Sequence, residues 1–337
     1  MALSAAMKSE APSAAPAEKI VEVEDLHVKF VSKDATVHAV NGVTFNLDRG
    51  EVLCILGESG SGKSVTLRAL MRLLPERRTR LSGRIQVAGH DIMTLNAAGL
   101  SRVRGEVVSM IFQEPMTALD PVFTIGRQIA ETVLRHEDVT REDAYKRALD
   151  LLELVQIPSA RRRLHAYPHE LSGGLRQRAM IAIALSCRPA ILLADEPTTA
   201  LDATVQIQIL LLLRQLQEDL GMGVIFVTHD LGVAGEIADR IAVMYAGRFV
   251  ETGPVRGVMR DPLHPYTQGL MASTVHGHMK GQRLRTIEGA PPNLESVSDG
   301  CSFAPRCAHA TDRCLVRPPD ERRPSAGRMA RCVLVDD

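Results

Sequence analysis

Along most of the chain the hydrophobic positions recur with two alternating periods. Val21–Phe30 runs apolar, polar, apolar, and Val40–Leu47 does so more loosely, the pattern of antiparallel strands with one buried face. Glu51–Leu56 (EVLCIL) is almost continuously apolar, which predicts a strand covered on both faces. A glycine-rich stretch follows, then a helical pattern over Lys63–Leu74 that stops before Pro75. Arg84–Val87 and Val107–Phe112 read as further strands. Thr124–Ala166 turns helical, with charged faces over His136–Arg147, and predicts a separate helical lobe. Strand patterns return at Ala190–Ala194, Gly223–Val227 and Arg240–Met244, separated by helical stretches such as Ala203–Asp219. That alternation predicts a parallel α/β core. From about Gly253 the periodicity is lost. Pro254, Pro262, Pro265, Pro291, Pro292, Pro305, Pro318 and Pro319 interrupt any long element there, predicting a loop-rich extension over 253–337.

Composition narrows the picture modestly. The 337 residues allow about two folding units. Lys+Arg and Asp+Glu both number 40, a balance that argues against a protein living on nucleic acid. No run of about 18 apolar residues occurs, so no transmembrane helix is expected. Residues 1–19, rich in Ala, Ser and Pro, lack an apolar core and read as a disordered leader. Cys54 and Cys187 lie in apolar surroundings and read as packing residues.

Chemistry enters at the glycine-rich stretch. Gly57-Glu58-Ser59-Gly60-Ser61-Gly62-Lys63-Ser64 fits the phosphate-loop pattern and sits between a buried strand and a helix, where that pattern must sit. Glycines let backbone N–H groups curl around phosphates, and the helix N-terminus and Lys63 add positive charge. The Ser64 hydroxyl suits a Mg²⁺ ligand. Gly57, Ser59, Gly60, Ser61, Gly62, Lys63, Ser64 and Val65 are therefore candidate nucleotide contacts. Ala190–Glu196 (AILLADE) is an apolar strand ending in two acids. Asp195 at its tip suits Mg²⁺, and Glu196 suits the general base that polarises a water.

Further motifs narrow the class. Leu171-Ser172-Gly173-Gly174-Leu175-Arg176-Gln177-Arg178 resembles the signature of ABC ATPases, with Leu175 where the generic signature has glutamine. Gln113 matches that family's Q-loop glutamine, Ala200-Leu201-Asp202 its D-loop, and His229 in Val227-Thr228-His229-Asp230 its switch histidine. All occur in the family's order, over about Ile20–Thr252. The resemblance implies a P-loop ABC ATPase core: a mixed sheet with an antiparallel β subdomain, over 20–252, with a helical signature lobe at about 114–178. It implies that Phe30 stacks on adenine, that Gln113 joins Ser64 and Asp195 at Mg²⁺, and that His229 contacts the γ-phosphate. It also implies that Asp202 belongs to the nucleotide site and that Ser172, Gly173 and Gly174 serve ATP held by a partner, so that two subunits close around two nucleotides.

Asp261-Pro262-Leu263-His264-Pro265-Tyr266-Thr267, Gly289–Leu294 and Cys301–Cys307 resemble the tail of the oligopeptide/dipeptide (peptide/nickel) branch, and within it Met71-Arg72-Leu73-Leu74-Pro75 and Ile111–Pro121 look more like the D-type than the F-type subunit. That likeness implies an ATP-hydrolysing import subunit at the cytoplasmic face of the inner membrane. Its partners would be a second, F-type ATPase in a heterodimer, two permeases and an extracytoplasmic solute-binding protein. The permeases would be its only contact with the membrane. Nickel chelates or glutathione are alternative cargoes, and a soluble ABC ATPase or a nucleotide switch is the alternative function. Cys301, Cys307, Cys314 and Cys332 run C-x5-C-x6-C-x17-C. Four clustered thiolates suit Zn²⁺ or an iron–sulfur cluster, and free structural thiols are the third possibility. The spacing does not decide; the family likeness favours a [4Fe–4S] cluster.

Overall fold

A computed structural model describes residues 18–199, 201–273, 286–295 and 299–336. Of the leader expected over 1–19, residues 1–17 lie outside the described ones.

Eleven strands are formed by the described residues: β1 (Lys19–Val31), β2 (Thr36–Asp48), β3 (Val52–Leu56), β4 (Thr79–Val87), β5 (His90–Asp91), β6 (Val108–Ile111), β7 (Ile191–Asp195), β8 (Gly223–Thr228), β9 (Arg240–Tyr245), β10 (Arg248–Pro254) and β11 (Met329–Ala330). They make two sheets. One is antiparallel, in the order β2-β1-β4-β5. The other runs β11-β10-β9-β3-β8-β7-β6, parallel from β9 to β6 and antiparallel at β10 and β11.

The central strands explain the sequence pattern. Every residue of β3, β7 and β8 is buried. Successive side chains leave a strand on opposite faces. Accordingly Val52, Cys54 and Leu56 join one core, whereas Leu53 and Ile55 join the other. On β8 the same division separates Val224 and Phe226 from Ile225 and Val227. The first core is covered by the helices Ile125–His136, Arg141–Leu154 and Gly173–Ala184 and by parts of the C-terminal region; the second lies under the antiparallel sheet. Each large aliphatic side chain so enclosed contributes about 1.5–3 kcal/mol.

Some elements depart from the expected bounds. The helix after the phosphate loop ends at Leu70 instead of Leu74, because Arg72 takes a left-handed backbone conformation at φ 48°. That turn lets Arg72 Nη1 donate to the Leu95 carbonyl at 2.7 Å. Strand β4 begins five residues ahead of the expected Arg84, held by pairing to β1 and not by burial.

The C-terminal region is built onto the large sheet. Met329 and Ala330 pair with Thr252 and Glu251. Glu251 is fully buried, and its carboxylate accepts the backbone N–H groups of Leu263 and His264, each at 2.9 Å, and an Arg328 Nη2–H at 3.0 Å. His264 then caps the helix Pro265–Ala272, its Nδ1 accepting the Tyr266 N–H at 3.0 Å. Burial lowers the His264 pKa to about 4.

Candidate functional site

Four parallel strands deliver the candidate residues to one edge. In register, Leu56 stands beside Thr228, Val227 beside Asp195, and Ala194 beside Ile111. The carboxyl ends of β3, β8, β7 and β6 therefore lie side by side, where ligands of open α/β sheets bind. The phosphate loop leaves β3, His229 follows β8, Asp195 and Glu196 end β7, and Gln113 follows β6.

The loop needs glycine at two places for steric reasons. A Cβ on Gly57 would stand 2.2 Å from the Met244 carbonyl oxygen, and one on Gly62 would stand 2.4 Å from that of Ala39. Gly62 also holds φ at +107°, which side-chain-bearing residues rarely adopt. The helix Lys63–Leu70 begins directly afterwards, so its unpaired N–H groups face the loop. Lys63 is buried and donates from Nζ to the carbonyls of Gly57 at 2.8 Å and Glu58 at 2.9 Å. Burial lowers its pKa, and the carboxylates of Glu196 and Asp195 oppose that shift.

Ser64 Oγ donates to Asp195 Oδ1 at 2.6 Å. Asp195 is fully buried, and burial raises its pKa against the pull of Ser64 and Arg68. Its Oδ2 has no hydrogen-bond partner, and neither does Ser61 Oγ. A buried carboxylate oxygen that accepts no hydrogen bond, 3.9 Å from Arg68 Nη2 and beside a hydroxyl, belongs to a set of hard oxygen donors that fits Mg²⁺, and a buried lysine at a helix N-terminus fits phosphate.

Glu196 occupies the centre. Its Oε2 accepts from Gln113 Nε2 at 3.2 Å and Thr199 Oγ1 at 3.0 Å, and His229 Nδ1 stands 3.1 Å away. Oε1 lies 3.9 Å from Lys63 Nζ. The backbone of Glu196 is left-handed, φ 46°, a strained conformation for a residue preceding proline. Asp230 fixes the neighbouring turn, its Oδ1 accepting the N–H groups of Gly232 at 2.7 Å and Val233 at 3.3 Å.

These residues surround a cavity of about 810 Å³. Of the sequence candidates, Phe30, Gly57, Ser59, Gly60, Gly62, Lys63, Ser64, Val65, Gln113, Glu196 and His229 line it. Asp195 lies behind Ser64. Ser172, Gly173, Gly174 and Asp202 are not among the lining residues. Ser172 caps the helix Gly173–Ala184 and Asp202 caps the helix Ala203–Leu220. The two caps are packed together: a Cβ on Gly174 would stand 2.7 Å from Val205 Cγ1. Ala200 of the same turn lies outside the described residues. The sequence missed Val37, Ala39, Glu58 and Thr199 among the lining residues, and a further group from the C-terminal region, Leu270, Ser273, Thr286, Ile287 and Leu294. No periodicity marks them.

The expected iron–sulfur or zinc centre is not met. Among the described residues, no group of three or more His, Cys, Asp or Glu side chains is placed to hold a metal ion. Cys301, Cys307, Cys314 and Cys332 do reach one region, as free thiols around a space of about 10 Å³. That volume is at the lower bound for a single water. Burial raises the Cys301 and Cys332 thiols toward the neutral form. Cys54 and Cys187 are likewise free, the former fully buried and the latter partly.

No helix among the described residues is long and apolar enough to cross a membrane. Residues 40–199 match the ABC transporter family, and residues 250–314 match the oligopeptide/dipeptide transporter C-terminal region. The oligopeptide transport ATP-binding protein OppD of Salmonella typhimurium is 46% identical over 317 residues, covering 94% of each chain. The dipeptide transport ATP-binding protein DppD of Bacillus subtilis is 46% identical over 320 residues, 95% of this chain and 96% of its own. Among solved structures, a dimeric post-hydrolysis state of the ATP-binding cassette MJ0796 with ADP and Pi superposes with a TM-score of 0.63 at 30% identity, over 70% of this chain and 99% of that one. A strand-tip site of phosphate loop, paired acids and histidine, with near-full-length relatives of this kind, leads to one assignment: the chain belongs to the family of ABC transporter ATP-binding subunits, ATPases that work with membrane permeases.

Proposed function

We propose that this chain hydrolyses ATP to drive import of di- or oligopeptides, as the D-type subunit of a heterodimer with an F-type ATPase. It would sit at the cytoplasmic face of the inner membrane, bound to two permeases fed by a solute-binding protein. The nucleotide-binding domain would span 20–252, its helical part about 114–178, and 253–337 would be the extension. The observation that carries the ATPase reading is the placement of Glu196 between Lys63, Gln113 and His229.

Phe30 would stack on the base, while Lys63 and the loop N–H groups would neutralise the phosphates. Ser64 and Asp195, with Gln113, would hold Mg²⁺, which when bound offsets the charge on the phosphate oxygens. Glu196 would accept the proton of the attacking water at a carboxylate oxygen, and His229 would meet the γ-phosphate. Ser172, Gly173 and Gly174 do not line their own cavity, so the signature cap would complete the site of the partner. Peptide cargo rests on the relatives' function.

Glu196→Gln keeps the hydrogen-bonding shape and removes the base. ATP should still bind, turnover should fall at least a hundredfold, and a closed dimer should accumulate in size-exclusion chromatography. Wild-type turnover in that variant would refute the assignment.

A further inference from the structure

The cassette alone does not complete the nucleotide cavity. Leu270, Ile287 and Leu294, all beyond the end of β10, share it with Phe30. One side chain ties the Ile287–Glu288 part of this wall to the phosphate loop, while the Leu294 carbonyl accepts the His38 N–H at 2.8 Å. Arg306, only 6% exposed at its side chain, donates from Nη1 to Glu58 Oε2 at 2.8 Å and from Nη2 to Glu58 Oε1 at 3.1 Å. This is the two-pronged geometry in which arginine grips a carboxylate best. Its Nε donates to the Glu288 carbonyl at 3.0 Å, and Nη2 reaches the Ile287 carbonyl at 3.3 Å. Nη1 also meets the Tyr245 hydroxyl at 3.3 Å, at the end of β9.

Glu58 is held a second time. Its backbone N–H donates to the Tyr266 hydroxyl oxygen at 2.9 Å. Tyr266 is fully buried, with ring centroids 4.6 Å from Tyr245 and 5.4 Å from Phe303. The second residue of the phosphate loop is thus anchored through both side chain and backbone, and both anchors come from the C-terminal region.

We propose that Arg306 is a positioning residue for nucleotide binding, which ties the Ile287–Glu288 wall and the phosphate loop into one unit. The proposal rests on the reading of this cavity as an ATP site. A loop of glycines and serines has many backbone states, and ordering it only on binding would cost affinity. Arg306 and Tyr266 order Glu58 in advance. The same guanidinium fixes the carbonyl of Ile287, so the apolar end and the phosphate end of the cavity keep one spacing.

The test is equilibrium binding of ATP, and of inorganic tripolyphosphate as a probe without a base, to the purified full-length chain. Arg306→Met and Glu58→Ala should each weaken ATP about tenfold, the scale of one charge-assisted contact. The double variant should be no weaker than the weaker single, and Arg306→Lys should regain part of the loss. Because the Ile287–Glu288 segment loses its tie, the preference for ATP over tripolyphosphate should narrow in Arg306→Met. If Arg306→Met does not fold, Glu58→Ala, at a partly exposed side chain, carries the same comparison. A wild-type chain that fails to bind ATP overturns the ATP reading and this proposal together. Wild-type binding with unchanged affinity in the folded variants, or fully additive losses, overturns this proposal alone.

Discussion

Replacing Glu251 by alanine is expected to loosen the C-terminal region from the sheet. The carboxylate is inaccessible to solvent and holds three donors: the N–H groups of Leu263 and His264 and the Arg328 guanidinium. Arg328 keeps two alternatives on Asp261, the exposed Oδ2 at 3.3 Å and the backbone carbonyl. Breaking a buried ion pair costs about 3–5 kcal/mol, chiefly from the charge left behind. The Asp261 contacts offset part of that, and each stranded N–H adds about 1–3 kcal/mol unless water reaches it. A net loss of about 4 kcal/mol is expected. Glu251→Gln, which keeps a carbonyl acceptor, should lose about half as much. Urea unfolding of the three proteins measures the differences, and hydrogen exchange at Val255–Ala272 locates them. A Glu251→Ala loss below about 1 kcal/mol would show that the network does not hold the region, and the reasoning would fail.

Two further outcomes follow from the geometry. Gly62→Ala should weaken ATP binding at least tenfold and destabilise the chain by about 3 kcal/mol, since the left-handed backbone and the Ala39 carbonyl both oppose a Cβ; calorimetric titration and thermal melting read the two effects. His264 has a folded pKa of about 4 against an ordinary 6.5, so the unfolded chain takes up its proton first. Its contribution is intact above pH 6.5 and falls as pH drops toward 4, by roughly 3 kcal/mol in total. Unfolding midpoints of wild type and His264→Asn between pH 7.5 and 4.5 should therefore converge; parallel curves would contradict the buried neutral imidazole.

The sequence was most informative where function and burial restrict residue type most. Strands β3, β7 and β8 are apolar throughout because both faces are covered, and the phosphate loop is legible because only glycine fits at Gly57 and Gly62. Legibility failed where pairing, not burial, makes the element. Strand β10 carries Arg248, Glu251, Thr252 and Pro254, and β11 is two residues long, so neither shows a period. The burial of Glu251 depends on Arg328, 77 residues along the chain. The apolar wall at Ile287 and Leu294 was hidden for the same reason: contacts between distant segments leave no local pattern. The cysteine cluster erred in the other direction, since closeness in sequence suggested a centre that the folded thiols do not form.

The register of the large sheet has a further consequence. Thr228 stands beside Leu56, and Asp195 one step back beside Val227. The sheet is a ruler graduated in single residues, and the two adjacent acids are neighbouring marks on it. Deleting one residue from Leu192–Ala194 would draw Glu196 into the slot beside Ser64 and turn the following side chains to the opposite face. Loop length can vary at small cost, but the length of β7 cannot vary without exchanging one acid for the other.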